Sequence, residues 1–182
     1  MSVKKKASRC GSKKVEVEAF GSAQTAAARR TAEAQLRTLI ANLAPEHLRL
    51  ISAMRRSLRK RLPTAHEVVY EYRDWFVISF SPSEHGYEGV LAIRGSVDGV
   101  KLYLNRGKEL PDPEKLLQGS SGAQTRYIGI EGASTLSRPA VVRLIDQSIA
   151  RNRVALAPAG RGSVVIRATS AKKKQSGRRR PA

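Results

Sequence analysis

The spacing of the apolar residues changes at Pro63, and this change limits the folds open to the chain. Before Pro63, apolar residues recur three and four positions apart, which is typical of the buried side of a helix. The two stripes are Leu36, Leu39, Ile40 and Leu43, then Leu48, Ile51, Met54, Leu58 and Leu62. The second stripe predicts a helix over about residues 46–61, with Pro45 in its first turn and Pro63 ending it. The domain is therefore expected to open with a pair of helices.

Beyond Pro63, apolar residues alternate with polar ones, as they do in strands. Five strands are predicted, at residues 67–73, 75–80, 87–94, 100–105 and 126–131, with a hairpin turn at Asp98-Gly99. Asp112 can cap a short helix that ends before Gly119, and Ser137 can cap a last helix over about residues 138–152. Because helices and strands are segregated, we predict an α+β domain with a mainly antiparallel sheet of about five strands and a C-terminal helix.

Strand parity assigns the side chains of this sheet to two faces. One face is uniformly apolar and is expected under the helices: Phe76, Ile78, Phe80, Leu91, Ile93, Leu102, Leu104, Ile128 and Ile130. The other, which we call the open face, is mixed: Val77, Asn105 and Glu131 lie there beside the candidate site residues, which combine aromatic rings with basic groups: Trp75, Arg94, Lys101, Tyr103 and Tyr127. Antiparallel sheets often leave one face to solvent. These residues could stack single-stranded bases, or be covered by a second copy of the chain or by the C-terminal tail.

Positive charge is concentrated at the two ends of the chain. The sequence has 34 Lys and Arg against 15 Asp and Glu, a net charge of +19. Residues 1–20 have six basic and two acidic side chains, and residues 163–182 have seven basic and no acidic ones. We expect disordered basic tails at residues 1–30 and 157–182 around one domain at residues 31–156. Two short apolar runs within these tails, residues 15–20 and 164–166, are too short to predict stable strands.

Basic blocks of this kind commonly bind polyanions by releasing counterions. The candidate phosphate-binding residues of the C-terminal tail are Lys172, Lys173, Lys174, Arg178, Arg179 and Arg180. The second predicted helix adds Arg49, Arg56, Arg59 and Lys60 on or near one face, and no acidic residue occurs between His47 and His66. A solvated helix surface normally carries both signs of charge. The pattern therefore leaves open either a solubilising surface or a site for a nucleic-acid backbone.

Several classes of protein are disfavoured by the composition. The single cysteine excludes an intramolecular disulfide and a zinc site built from cysteines. No apolar run approaches the roughly 20 residues that span a bilayer, and no apolar stretch follows the basic start, so we expect a cytoplasmic protein without membrane partners. The three histidines are scattered, and neither a phosphate-binding loop nor a catalytic constellation of side chains is recognisable. We therefore predict no enzyme activity and no cofactor; oligomeric state is left open.

Three segments of the strand and loop region resemble a known family. They are residues 103–107 (YLNRG), 109–113 (ELPDP) and 116–119 (LLQG), within VKLYLNRGKELPDPEKLLQGSSGAQTRYIGIE. With HEVVYEYRDWFVISF before them and SRPAVVRLIDQSIARN after them, they make the chain similar to the YdhG-like domain family over about residues 36–152. These are small bacterial α+β proteins, mostly uncharacterised, and one branch is described as frataxin-like intracellular iron chaperones.

Two functions follow as hypotheses. The resemblance implies a small, non-enzymatic intracellular binding or carrier protein, with iron as a cargo implied by the resemblance alone. Carboxylates such as Glu67 and Glu71 would then bind Fe(II). The alternative is a nucleic-acid-associated protein that holds phosphate backbones through its basic tails and its arginine-rich helix.

Overall fold

A computed structural model describes residues 24–167 of the chain. The helices within this range are α1 (Ala26–Ile40), α2 (Pro45–Arg61) and α3 (Pro139–Ala150). The strands are β1 (His66–Glu71), β2 (Trp75–Ser81), β3 (Leu91–Ser96), β4 (Gly99–Leu104), β5 (Arg126–Gly129) and β6 (Val164–Arg167). Single 3₁₀ turns form at Gly86–Glu88, Gly107–Glu109 and Ala133–Ser137. None of the helices in residues 24–167 is both long enough and apolar enough to cross a membrane.

The strands form one mixed sheet in the order β5-β4-β3-β2-β1-β6. Each consecutive pair from β1 to β5 is antiparallel, and only β6 is parallel to its neighbour, β1. The α+β class is therefore confirmed, whereas the sheet has six strands instead of the predicted number of about five. The additional strand joins the sheet at the edge opposite β5.

The helices cover one face of the sheet, as strand parity predicts. The residues assigned to the apolar face, from Phe76 to Ile130, are all buried. They form one core with Leu36 of α1, Ile51 of α2 and Leu144 of α3. Burial of a large aliphatic side chain contributes about 2 kcal/mol, so this face holds the three helices on the sheet.

Local structure differs from the prediction in three places. The third strand begins at Leu91 instead of residue 87, because residues 86–88 form a 3₁₀ turn. The predicted short helix is absent: the Asp112 carboxylate accepts hydrogen bonds from the Leu116 and Leu117 N–H groups, and Lys115 adopts a φ of 52°, a left-handed conformation that ends the turn. Ser137 does not cap α3, whose N-cap is Arg138 followed by Pro139.

Both predicted tail boundaries need correction. Helix α1 begins at Ala26, inside the segment expected to be disordered, and Thr25 caps it by accepting a hydrogen bond from the Ala28 N–H at 3.2 Å. The short apolar run at residues 164–166 lies in β6, which the ladder with β1 stabilises. Residues 1–23 and 168–182 lie outside the described part of the chain. The run at residues 15–20 and the candidate residues Lys172, Lys173, Lys174, Arg178, Arg179 and Arg180 fall there.

Candidate functional site

Among the described residues, the helices leave the open face of the sheet uncovered, and a loop crosses part of it. Residues 82–89 fold back over β1 and β2, where the Ser79 hydroxyl donates to the Gly86 carbonyl at 3.0 Å and the Tyr70 hydroxyl accepts from the Gly86 N–H at 3.1 Å. We call this segment the covering loop. Val68 and Ser79 are buried, although both point toward the open face. The part of the face around Trp75, Arg94 and Tyr127 stays partly exposed.

One half of this exposed area is a stack of rings and a guanidinium group. Tyr72 and Trp75 lie on the two arms of the β1–β2 hairpin, and their rings stack with centroids 3.7 Å apart at an angle of 12°. Arg94 lies over the Trp75 ring, with its guanidinium carbon 4.5 Å from the centroid. A guanidinium group in this position is attracted by the ring quadrupole. Tyr72 was not predicted as a site residue; its position two residues beyond Tyr70 on the same strand face would have identified it.

The other half joins this stack through Arg94. Its Nη1 donates to the Tyr103 hydroxyl at 3.2 Å, while its buried Nε has no hydrogen-bond partner among residues 24–167. The Tyr103 and Tyr127 rings lie 5.3 Å apart, and the Lys101 ammonium group is 4.5 Å from the centre of the Tyr127 ring. The structure thus brings all five predicted open-face residues into one continuous surface. We call these five residues, together with Tyr72, the aromatic platform.

The platform carries positive charge, and the strand rows that hold its residues lack acidic side chains. Three such rows cross the open face: one contains Trp75 and Ser96, the next Arg94 and Lys101, and the third Tyr103 and Tyr127. None of these rows contains an acidic residue, and Arg167 of β6 ends the row of Arg94 at the far edge. The rings and the cations are therefore presented together on a surface suited to an anionic planar ligand.

The arginines of α2 are in a different environment. Arg55 and Arg59 both donate to Glu67 and to Glu33, with Arg55 Nε 2.7 Å from Glu67 Oε2 and Arg55 Nη2 3.1 Å from Glu33 Oε2. Glu67 is only 2% exposed, so its charge requires these partners. Arg61 pairs with Asp146 of α3 at 2.6 Å. Arg59, predicted as a phosphate ligand, is therefore committed to a structural network.

The pKa shifts in this network follow the same geometry. Partial burial alone would raise the pKa of Glu33, but hydrogen bonds and charges from Arg59 and Arg55 hold it below its ordinary value. Burial opposes the charged form of Arg59, yet Glu67 and Glu33 raise its pKa further. Both ends of the network therefore remain ionised near neutral pH.

Three of the predicted α2 residues stay exposed. Arg49, Arg56 and Lys60 make no ion pair within residues 24–167, and Arg56 and Lys60 border a shallow groove of about 360 Å³. Helix α2 packs on the apolar face of the sheet, with Ile51 over Gly95. Its exposed side therefore lies on the opposite side of the sheet from the aromatic platform, and one short ligand cannot contact both.

A cavity of about 800 Å³ lies at the end of the open face. Asn105 and Thr125 line it. Asn105 comes two residues after Tyr103, and Thr125 comes two residues before Tyr127, so both lie on the same face of the sheet as the platform. The Asn105 amide donates to the Gly89 carbonyl and so joins the covering loop to the end of β4. This cavity was not predicted from the sequence, because its walls come from four separate segments.

One pair of opposite charges lies at the cavity. Arg106 donates from Nε to Glu109 Oε2 at 2.9 Å, and Gln124 donates to the other carboxylate oxygen. The hydrogen bond from Arg106 lowers the pKa of Glu109, and its charge acts in the same direction. Arg153, also at the cavity, is exposed and makes no ion pair within the described residues.

The residues considered for iron do not form a metal site in the described range. Residues 24–167 contain no group of three or more His, Cys, Asp or Glu side chains arranged to hold a metal ion. Both Glu67 oxygens accept from arginines, and Glu71 lies at the other end of β1. His66 Nδ1 lies 2.6 Å from the Ser163 hydroxyl, and burial lowers the pKa of this histidine.

Comparison of the chain with protein-family models, with curated proteins and with solved structures found no significant match. The resemblance to the YdhG-like family therefore stays a prediction from the sequence motifs.

Proposed function

We propose that this protein is a non-enzymatic binding protein that holds single-stranded nucleic acid on the open face of its sheet. The observation that carries the proposal is the aromatic platform: four rings and two cations on a partly exposed sheet face, without an acidic residue in the strand rows that cross it. Single strands are bound in this way elsewhere, because every base has a face that can stack and every nucleotide has a phosphate.

The arrangement favours a single strand over a duplex. A duplex hides the faces of its bases, whereas the rings of Trp75 and Tyr127 require an exposed base for stacking. Each stacked base is worth about 1–3 kcal/mol as measured by alanine substitution. Arg94 and Lys101 would then hold the backbone beside the rings over which they lie.

The exposed cations of α2 support a weaker, sequence-independent contact with phosphates. Arg49, Arg56 and Lys60 lack acidic partners in the described residues, but no aromatic ring accompanies them there. The iron-carrier hypothesis finds no such support, since the Glu67 carboxylate is occupied by Arg55 and Arg59.

A matched pair of double variants tests the proposal. Arg94→Gln with Lys101→Gln removes two charges from the open face, and Arg56→Gln with Lys60→Gln removes two from α2. Full-length protein is titrated against a labelled single-stranded oligothymidine of about 12 nucleotides over a salt series, with fluorescence anisotropy as the readout.

We expect the open-face variant to bind at least tenfold more weakly and to lower the log–log salt slope by about 1.4, which is the contribution of two phosphate contacts to a single strand. The α2 variant should stay within about threefold of the parent. Equal losses in the two variants, a loss only in the α2 variant, or no binding by the parent at physiological salt would refute the proposal.

A further inference from the structure

The cavity at the end of the aromatic platform has the properties of a pocket for one nucleobase. We infer that it accepts a single unstacked base of the strand bound on the platform and gives the protein a base preference. This inference rests on the proposed function and adds a recognition site to it. Five features of the cavity support it: its position, its size, its charge, its rigidity and an exposed tyrosine at its rim.

The position places the cavity within one nucleotide of the platform. Asn105 and Thr125 lie two residues from Tyr103 and Tyr127 along β4 and the start of β5, and two strand residues span about 6.6 Å. The Thr125 hydroxyl donates to the Asn105 carbonyl at 3.3 Å and so continues the pairing of these strands into the cavity wall. A strand stacked on Tyr103 and Tyr127 can therefore place its next base in the cavity without crossing covered surface.

The charge and size suit a neutral heterocycle. The lining contains two cations, Arg106 and Arg153, and two carboxylates, Glu88 and Glu109, so the local charges balance. A phosphate would meet the carboxylates, whereas the edge of a base needs both donors and acceptors, and the amides and carboxylates supply them. The volume of about 800 Å³ lies within the range typical of small-ligand pockets and exceeds that of one base, so a base enters without filling the cavity.

The walls are held by side-chain hydrogen bonds. Arg106, Glu109 and Gln124 form one network on one side. On the other side, Asn152 donates to the Val154 carbonyl at 2.8 Å and to the Glu88 carbonyl at 3.4 Å, which ties the segment after α3 to the covering loop. Because these walls are already fixed, binding a ligand costs less conformational entropy.

A stacking partner stands at the rim. Tyr87, in the covering loop, is 79% exposed, and it is the most exposed of the large hydrophobic side chains in the described residues. Within residues 24–167, its only ring contact is with His85, at 5.5 Å. An exposed tyrosine beside a polar cavity can cover one face of a base while the lining reads its edge.

The test compares three labelled 12-nucleotide homopolymers, oligo-dA, oligo-dC and oligo-dT, with full-length protein. We expect the parent protein to bind one of them at least fivefold more tightly than the weakest. Tyr87→Ala and, separately, Arg153→Gln should reduce this ratio to less than twofold, because both remove groups from the cavity. Tyr72→Ala is the control: as a change in the platform, it should weaken binding to all three homopolymers by a similar factor and leave the ratio unchanged.

The outcomes separate the pocket from the function. The inferred base pocket is wrong if the parent binds all three homopolymers within twofold of one another, or if the ratio persists in both cavity variants. In either case the proposed binding of single strands on the platform is unaffected. If the parent binds none of the three, the proposed function and the pocket both fail.

Discussion

Helix α2 and the open face of the sheet are both basic in sequence, but their cations have different partners. Arg55, Arg59 and Arg61 of α2 are matched by carboxylates, two of them in a network around the buried Glu67. On the open face, Arg94 and Lys101 lie over aromatic rings instead of beside acids. The helix has the denser run of basic residues, yet the cations of the sheet are the ones that lie on aromatic rings.

A run of one charge sign in a sequence therefore does not by itself make a free cationic surface. None of the acids that pair with these three arginines lies in the basic run itself: Glu67 is 12 residues from Arg55, Glu33 is 22 residues from Arg55, and Asp146 is 85 residues from Arg61. A buried carboxylate must find cations, because an unpaired buried charge is costly. Arginines close to the core are therefore used for structure first, and only those that remain exposed can bind a ligand.

The largest expected effect sharpens this comparison from the structural side. Glu67→Gln leaves Arg55 and Arg59 without their buried partner, and the free energy of unfolding should fall by about 3 kcal/mol. Urea denaturation followed by circular dichroism measures this. The control is Glu114→Gln, which breaks the exposed pair with Arg143 and should cost less than about 1 kcal/mol. Equal losses from the two variants would mean that the α2 network has no structural role.

The next effect concerns the platform. Trp75→Ala removes the ring that stacks on Tyr72 and supports Arg94, and single-strand affinity should fall between about 5-fold and 150-fold. Anisotropy titration at fixed salt measures the loss, and a circular dichroism spectrum like that of the parent shows that the fold is kept. Trp75→Phe should recover most of the affinity. An unchanged affinity in Trp75→Ala would mean that the open face has no advantage over helix α2 in binding single strands.

The smallest effect is the pH dependence of the α2 network. The pKa of Glu33 in the folded protein is held below its unfolded value of about 4.3. Its ionised carboxylate therefore stabilises the fold fully above that pH, and this stabilisation is lost as the pH falls through the folded pKa. Glu33→Gln should therefore reduce the free energy of unfolding at pH 7 by on the order of 1 kcal/mol, and the difference should shrink below about pH 4. Urea titrations at pH 7, 5 and 3.5 measure it. A difference that is the same at all three pH values would argue against an ionic role for Glu33.

The secondary structure shows where sequence patterns were sufficient. Alternation along β2 and β4 placed Ile78 and Leu102 in the core and Lys101 and Tyr103 on the other face, and the register confirms this. The α2 stripe was equally clear, because Pro45 and Pro63 bound it. These are local signals, and each is repeated over at least one whole element.

Longer-range features were not readable in the same way. Strand β6 is four residues long and exists through its parallel ladder with β1, almost 100 residues earlier in the chain. Its edge is capped by the Gln24 side chain, which bonds both the N–H and the carbonyl of Val164. The cavity likewise depends on four segments that meet only after folding.

By itself, the sequence determined the α+β class, the two faces of the sheet and the aromatic and basic composition of the open face, because periodicity within an element is a local property. Only the tertiary structure decided which arginines are neutralised, where the sixth strand joins and how the covering loop leaves the platform exposed beside a cavity. Those outcomes depend on contacts between residues far apart in the chain, such as Arg61 with Asp146. The same residue type can serve the core or a ligand, and burial and partner charge decide between them.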